Sequence, residues 1–217
     1  MPERNRVTPE AELIAVRDRG MFMGSRGVLH NDSRAVVRQF QGARWLICLT
    51  RFNGRWRSLR TPGRPTELFF LDEATALAAG HRPCGQCRHG AYRAFQAAYR
   101  RAFPGDPSGA SAIDHRLHAD RLTCQRTKRT YTGSAAELPD AAMIRHDGRA
   151  WLVLAGWLLA WSPAGYQDRL PVAALDLVTV LTPEATVATL AAGYRPKLDA
   201  SARLLTPDVS GEKRPPI

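Results

Sequence analysis

A Cys-x-x-Cys pair follows directly after a short capped helix, and it limits the possible folds and functions of this chain more than any other feature of its sequence. Asp72 is a typical helix N-cap residue, and Gly80 predicts the end of a helix over residues 73–79. Cys84 and Cys87 follow closely. Two thiolates at this spacing can bind one Zn²⁺ ion in tetrahedral geometry, and the amides of the short turn are free to donate to the sulfurs. We predict no strand directly before the pair, which disfavours a thioredoxin-like redox motif.

The pair supplies only two ligands of a zinc site, so the others must come from elsewhere in the chain. Cys48 is the first candidate and His30 the second; weaker candidates are His81, His89 and Cys124.

The first residues are polar and charged, without the apolar segment of a signal peptide, and no apolar run is long enough to span a membrane. We therefore expect a cytoplasmic protein, in which cysteines bind metal or do redox chemistry more often than they form disulfides.

The positive charge of the chain is confined to its first part. The formal net charge is +11, and residues 1–130 hold 23 basic and 11 acidic residues, whereas residues 131–217 hold 8 and 9. A GC-rich genome would explain why almost all the basic residues are arginine, but it does not explain this one-sided distribution. A positive field in one region is typical of a protein that binds a phosphate backbone.

An arginine-rich segment over residues 34–64 contains eight arginines and no acidic residue. We predict strands over 35–40, 44–52 and 55–59, with Asn53-Gly54 as a type I′ turn. Like charges on facing strands destabilise a sheet, so an acid-free ribbon favours contact with nucleic acid. In the alternative interpretation the aromatic residues are core and the arginine face is simply hydrated. The expected DNA contacts, through phosphates and one stacked base, are Arg44, Arg51, Arg55, Arg57, Arg60 and Trp56, with Trp45 as the other stacking candidate.

The sequence around the cysteine pair resembles part of a known family. It is similar to the second half of the zinc domain of the Ada alkylation-repair protein in Phe69-Phe70, Glu73-Ala74, Ala78-Ala79-Gly80, Arg82-Pro83-Cys84 and Cys87-Arg88. The similarity covers about 20 of the 217 residues. It also resembles a group of actinobacterial proteins that share the stretch TELFFLDEATALAAGHRPC.

The resemblance to the Ada zinc domain implies that Cys84 and Cys87 are zinc ligands in a module that binds DNA. That family also has an earlier cysteine pair, one member of which accepts a methyl group from a DNA phosphotriester. This chain has only Cys48 before Cys84. Cys48 could be a lone methyl acceptor, but its predicted strand position among apolar residues favours a metal ligand or a core residue.

A second polar cluster lies on a helix that we predict from Ser111, as a variant capping box, to about residue 122. Asp114 and His118 are four residues apart, so they share one face of this helix. Such a pair can act as metal ligands or as an acid–base couple for phosphoester or glycosidic chemistry. A solvated, salt-bridged helix face is the alternative interpretation. The loop around Arg26 could place backbone amides and a guanidinium against a phosphate, although a plain turn fits it equally well.

The whole pattern predicts an α+β protein. We expect an Ada-like zinc and arginine-rich hairpin module over 1–104, a basic linker and helix over 105–131, a small near-neutral α/β part with a β-meander over 132–200, and a flexible tail over 201–217. We also expect a helix between Thr8 and Gly20. Three function classes follow: a zinc-stabilised DNA-binding protein in DNA repair or processing, with the nucleoid as an alternative cytoplasmic location; a DNA-processing hydrolase or glycosylase that uses Asp114 and His118; and a zinc-stabilised regulatory or protein-interaction module.

Overall fold

The computed structural model describes residues 2–54 and 59–206, and these residues form a mixed α+β fold with two six-stranded sheets and five helices. The first sheet holds all the strands that precede residue 84. Its strands, in chain order, are β1 (Arg4–Val7), β2 (Leu13–Ala15), β3 (Phe22–Ser25), β4 (Leu46–Leu49), β5 (Leu68–Phe70) and β6 (Arg82–Pro83). They lie side by side in the order β2-β1-β5-β3-β4-β6.

The second sheet contains the predicted β-meander and its neighbours. Asp147 and Gly148 both have positive φ, as the turn between β8 and β9 requires. The strands are β7 (Tyr131–Ser134), β8 (Met143–His146), β9 (Arg149–Leu154), β10 (Trp157–Ser162), β11 (Gly165–Pro171) and β12 (Leu177–Val180). They lie in the order β11-β10-β9-β8-β12-β7.

The helices begin and end close to their sequence signals. Asp72 caps the first helix by accepting the Thr75 N–H, and Gly80 follows this helix with φ +89°. The third helix has no side-chain cap, because Gly109 rather than Ser111 is its N-cap residue. The helices are α1 (Glu73–Ala78), α2 (His89–Ala102), α3 (Ala110–Arg121), α4 (Glu184–Ala191) and α5 (Ala200–Leu205).

The two sheets share one hydrophobic core, and α1 is buried within it. The acids at the start of α1 connect distant parts of the chain. Asp72 accepts a hydrogen bond from the Tyr166 hydroxyl of β11 at 2.9 Å, and Glu73 accepts one from the Tyr194 hydroxyl at 2.6 Å. The second part of the chain therefore packs directly on the element that precedes the cysteine pair.

Two predicted elements are absent from the described structure. The segment between Thr8 and Gly20 is not a helix, because Thr8 closes a turn with Glu12 and the chain returns as β2. Residues 35–40 form no strand; Val36 makes a single bridge to His30. Each neighbouring strand already has partners on both edges, since β3 lies between β5 and β4 and β4 lies between β3 and β6. No edge of β3 or β4 is therefore free to accept residues 35–40.

The predicted arginine hairpin is found only in part. Asn53 and Gly54 have φ values of +51° and +65°, as a type I′ turn requires. The returning strand, however, falls mostly on residues 55–58, which lie outside the described residues. Residues 200–205, where the tail was expected to begin, form α5 against β11. In the part of the chain that the structure describes, no helix has the length and apolar character to cross a membrane.

Candidate metal centre

Three cysteines converge where β4 runs beside β6. The two strands pair in parallel: the Arg82 N–H donates to the Trp45 carbonyl at 3.1 Å, and the Cys84 N–H donates to the Ile47 carbonyl at 2.9 Å. This register places Cys48 of β4 next to the Cys84-x-x-Cys87 turn. The sulfur atoms of Cys48, Cys84 and Cys87 all lie within 4.8 Å of one another.

Hydrogen bonds to sulfur make Cys84 the thiolate of this group. A hydrogen bond from the Cys48 thiol, assisted by the backbone amides of Cys87 and Gln86, lowers the pKa of Cys84 to about 4 despite its burial. The same bond, together with burial, raises the pKa of Cys48. Burial also raises the pKa of Cys87. A bound cation would favour deprotonation of Cys48 and Cys87 as well.

Two buried ion pairs fix the segment that carries the cysteine pair. Arg82 of β6 donates to both carboxylate oxygens of Asp114, at 2.8 and 2.7 Å. Arg88 donates to both oxygens of Glu73 at 2.8 Å. All four side chains are less than a tenth exposed. Bidentate pairs of this kind fix position as well as charge, so the turn between them is held from both ends.

A cavity of about 320 Å³ opens beside the three sulfurs, and we call it the cysteine cavity. Its walls include Glu67 and Gln86, with Arg51 and Phe52 from the segment after β4. Glu67 is buried, and its carboxylate accepts the Arg60 N–H at 3.0 Å. The sequence pattern does not single out Glu67; its one distinguishing feature is that it is the first acid after the arginine-rich segment.

The donor set fits a thiophilic ion such as Zn²⁺. Two sulfurs bound to one tetrahedral zinc ion lie about 3.8 Å apart, and the three sulfurs here lie within 4.8 Å of one another, which is compatible with that spacing. Among the described residues, no histidine or carboxylate joins the three cysteines as a fourth donor. The group therefore offers three ligands and a side that faces the cysteine cavity.

Comparisons with family models, with curated proteins and with solved structures find no match. The resemblance to the Ada zinc domain therefore stays a prediction that rests on the residues around Cys84.

The histidines considered as ligands lie outside the cysteine group. His30 is buried and bonds Thr66 Oγ1 at 2.7 Å and the Thr61 carbonyl at 3.2 Å. His81 is enclosed by Phe70 and Trp45, and burial, followed by nearby arginines, lowers its pKa well below the ordinary value. The two weaker candidates are peripheral, because His89 and Cys124 are exposed.

Asp114 and His118 do not assemble as an acid–base couple. Both carboxylate oxygens of Asp114 are taken by Arg82, and the Arg121 guanidinium donates to His118 Nδ1 at 2.8 Å. Burial and the charge of Arg121 lower the pKa of His118. The His118 ring packs edge-on against Phe40. Each of the two residues is therefore engaged by a different arginine, which does not favour a catalytic pair.

The predicted DNA contacts separate into three groups. Arg44 and Arg51 are exposed on either side of β4. Arg60 is buried and donates to the carbonyls of Arg34 and Arg4, so its guanidinium is not available to a phosphate. Trp45, the second stacking candidate, is also buried. The remaining predictions lie outside the described residues: Arg55, Trp56 and Arg57.

Proposed function

We propose that this chain is a zinc-stabilised DNA-binding protein. The single observation that carries the proposal is the convergence of Cys48, Cys84 and Cys87 at the strand that exposed arginines flank. Strand β6 has only two residues and β4 has four, so a cation held by Cys48 of β4 and by the cysteines that follow β6 would strengthen a short pairing. The bound zinc would supply this cross-link, and Arg44 and Arg51 would contact phosphates beside it.

The metal part of the proposal is tested by zinc content. Cys84→Ser removes the sulfur that carries the thiolate charge, and we expect near-stoichiometric zinc in the purified wild type and little in this variant. Cys124→Ser is the matched control, because Cys124 is exposed and outside the group. Inductively coupled plasma mass spectrometry gives the metal-to-protein ratio. Equal zinc in Cys84→Ser and the wild type would refute the assignment.

The DNA part of the proposal is tested by salt dependence. The logarithm of the association constant for duplex DNA should fall with the logarithm of salt concentration, with a slope of roughly −0.9 per phosphate contact. The double variant Arg44→Ala/Arg51→Ala should reduce this slope by about 2, because two contacts are lost. Arg149→Ala/Arg203→Ala, which also removes two exposed arginines, is the charge-matched control and should leave the slope unchanged. Salt-insensitive binding, or equal slopes in all variants, would contradict phosphate contact by these arginines.

A second candidate function is metal-assisted hydrolysis, which the cysteine cavity favours. Three protein ligands with an open fourth position are the arrangement of a catalytic zinc site, where the ion lowers the pKa of bound water. Glu67 lies in the wall of the same cavity as a buried carboxylate and would accept the proton of that water. The alternative hydrolase that uses Asp114 and His118 lacks this support, because an arginine donates a hydrogen bond to each of these two side chains.

The open position can be tested without knowing a substrate. In Co²⁺-substituted protein, added thiocyanate should change the visible absorption spectrum if a ligand position is free, and Glu67→Gln should retain the metal. A spectrum that thiocyanate leaves unchanged would indicate a closed, structural site and remove the hydrolysis candidate.

A further inference from the structure

A second cavity, of about 610 Å³, has Trp45 in its wall and collects positive charge. Its walls contain two acidic residues, Glu10 and Glu12. We call it the cationic cavity, after the five basic residues in its walls: Arg4, Arg26, Arg121, Arg126 and Lys128. The volume lies in the range of small-molecule sites rather than of packing defects.

Among the described residues, no carboxylate forms an ion pair with the buried cations of this cavity. Arg26 and Arg121 are 1% and 2% exposed, and their guanidinium groups donate to backbone carbonyls, at 3.0 Å to Ala11 and at 2.7 Å to Gly80. Lys128 donates to two more carbonyls, at 2.6 and 2.7 Å. Across residues 2–54 and 59–206, none of these three cations takes part in an ion pair. Carbonyl dipoles hold them in place, but their charge remains uncompensated.

The acidic residues near the cationic cavity do not compensate this positive charge. Glu10 is paired with Arg145 at 2.8 Å, and the Glu12 side chain is exposed. Asp114, the acid that acts on Arg121 through space, is bound to Arg82. Unpaired charges of one sign that are removed from water are costly. A bound anion in the cationic cavity would compensate them.

Two buried donors of the cationic cavity have no partner. In the described part of the chain, the Nε–H groups of Arg26 and Arg121 make no hydrogen bond, although both atoms are buried. The Trp45 ring lies beside both guanidinium groups, whose central carbons are 5.0 and 3.9 Å from its centroid. Arg126 rests on Phe40 at 4.6 Å at the exposed side. The aromatic side chains thus hold the cations in fixed positions before any ligand arrives.

We propose that the cationic cavity binds a phosphate or diphosphate group. Arginine donors match the oxygens of phosphate in a forked geometry, and a dianionic group would compensate the clustered charge. Burial lowers the pKa of Arg26 to about 10, of Arg121 to about 9 and of Lys128 to about 7, which is the effect that a bound anion would oppose. The proposal does not depend on zinc or on DNA binding by Arg44 and Arg51.

The test uses the full chain with inorganic phosphate and pyrophosphate, at constant ionic strength maintained with chloride. Isothermal titration calorimetry should show saturable binding, and the thermal midpoint should rise with ligand concentration but not with chloride. Arg126→Ala should weaken binding about tenfold, because it removes a charge-assisted donor. Arg129→Ala is the matched control, since Arg129 is exposed on the same loop but is not part of the cavity wall. No binding of either anion, or equal weakening in both variants, would overturn the proposal.

The source of the phosphate is distinguished by a second pair of probes. A single-stranded oligonucleotide with a 5′-phosphate is compared with the same strand carrying a 5′-hydroxyl. Tighter binding of the phosphorylated strand that depends on Arg126 and is competed by pyrophosphate would assign the cavity to nucleic-acid ends. Pyrophosphate binding without any preference between the strands would assign it to a free phosphorylated ligand. Both outcomes support a phosphate site, and Cys84→Ser should leave either one intact if that variant folds.

Discussion

Asp114 shows how the same residue type can serve chemistry or architecture depending on its neighbours. Its carboxylate faces the Arg82 guanidinium in a buried bidentate pair. Both oxygens of this buried carboxylate accept from the guanidinium, so the pair holds β6 against α3. At the scale of single residues, the sequence identifies polar groups but not their partners.

We expect Asp114→Ala to lower the free energy of unfolding by about 3–5 kcal/mol, because it leaves the Arg82 charge buried and unpaired. Asp106→Ala is the control: its pair with Arg116 is about 40% exposed on both sides, and such pairs contribute about 1 kcal/mol or less. Urea denaturation measures both. A loss below 1 kcal/mol for Asp114→Ala would show that the buried pair is not structural and would revive a functional role for Asp114.

Lys128 should make stability depend on pH above neutrality. Burial lowers its pKa from 10.5 to about 7, so between these values the unfolded chain binds a proton that the folded chain has lost, and stability rises with pH. Lys128→Met should flatten this rise by up to about 1 kcal/mol per pH unit. The charges of Glu10, Arg145 and Arg26 also influence the pKa of Lys128, and these three residues are retained in the variant.

The measurement for Lys128 is the free energy of unfolding of the wild type and Lys128→Met from pH 6.5 to 9.5 in phosphate-free buffer. The cysteines titrate in both proteins and cancel in the difference. Parallel curves would mean that Lys128 is charged in the folded state throughout. If the cationic cavity binds pyrophosphate, adding it should also flatten the wild-type curve.

At the scale of elements, the start of α2 depends on an ion pair rather than on a capping side chain. Arg88 is the N-cap residue and makes no side-chain cap bond, but it reaches back to Glu73 at the first turn of α1. The guanidinium also lies 4.2 Å from the Phe22 ring centroid. Two helices and β3 therefore meet at the residue that follows Cys87.

Arg88→Gln should destabilise the fold and weaken metal binding together. The variant leaves the Glu73 carboxylate buried with two remaining donors, the Tyr194 hydroxyl and the Lys197 N–H, so we expect a loss of about 3 kcal/mol. Loss of a group that orients the ligand turn should weaken zinc binding about tenfold. Arg93→Gln, exposed on the same helix, should change neither. Competition with a chromophoric chelator gives the zinc affinity. Unchanged affinity in Arg88→Gln would show that the Arg88–Glu73 ion pair does not support metal binding.

At the scale of the whole molecule, the two sheets share a core and should unfold as one unit. The buried cluster runs from Val7 in β1 to Ala202 in α5, and the Trp161 indole N–H of β10 donates to Thr75 of α1 at 3.0 Å. Because both sheets pack on α1 and contribute to the same buried cluster, neither sheet keeps its core when the other opens.

Native-state hydrogen exchange measures this cooperativity. Slowly exchanging amides of β3 and β4 should report the same free energy of opening as those of β9 and β10, and the two sets should fall in parallel with added urea. Amides of the second sheet that stay protected after the first has opened would show two independent units.

The sequence by itself determined the local elements: the Asp72-capped helix, the turn that carries Cys84 and Cys87, the β-meander, and the confinement of charge to the first part of the chain. These follow from caps, turn residues and periodicity, which act over a few residues. Only the tertiary structure decided that Cys48 meets the pair across a two-residue parallel strand, and that Arg60, Arg26 and Arg121 are buried while Arg44 and Arg51 are exposed. Strand pairing and burial depend on residues far apart in the chain. The sequence around an arginine therefore does not show whether its side chain is exposed to solvent or buried in a cavity wall.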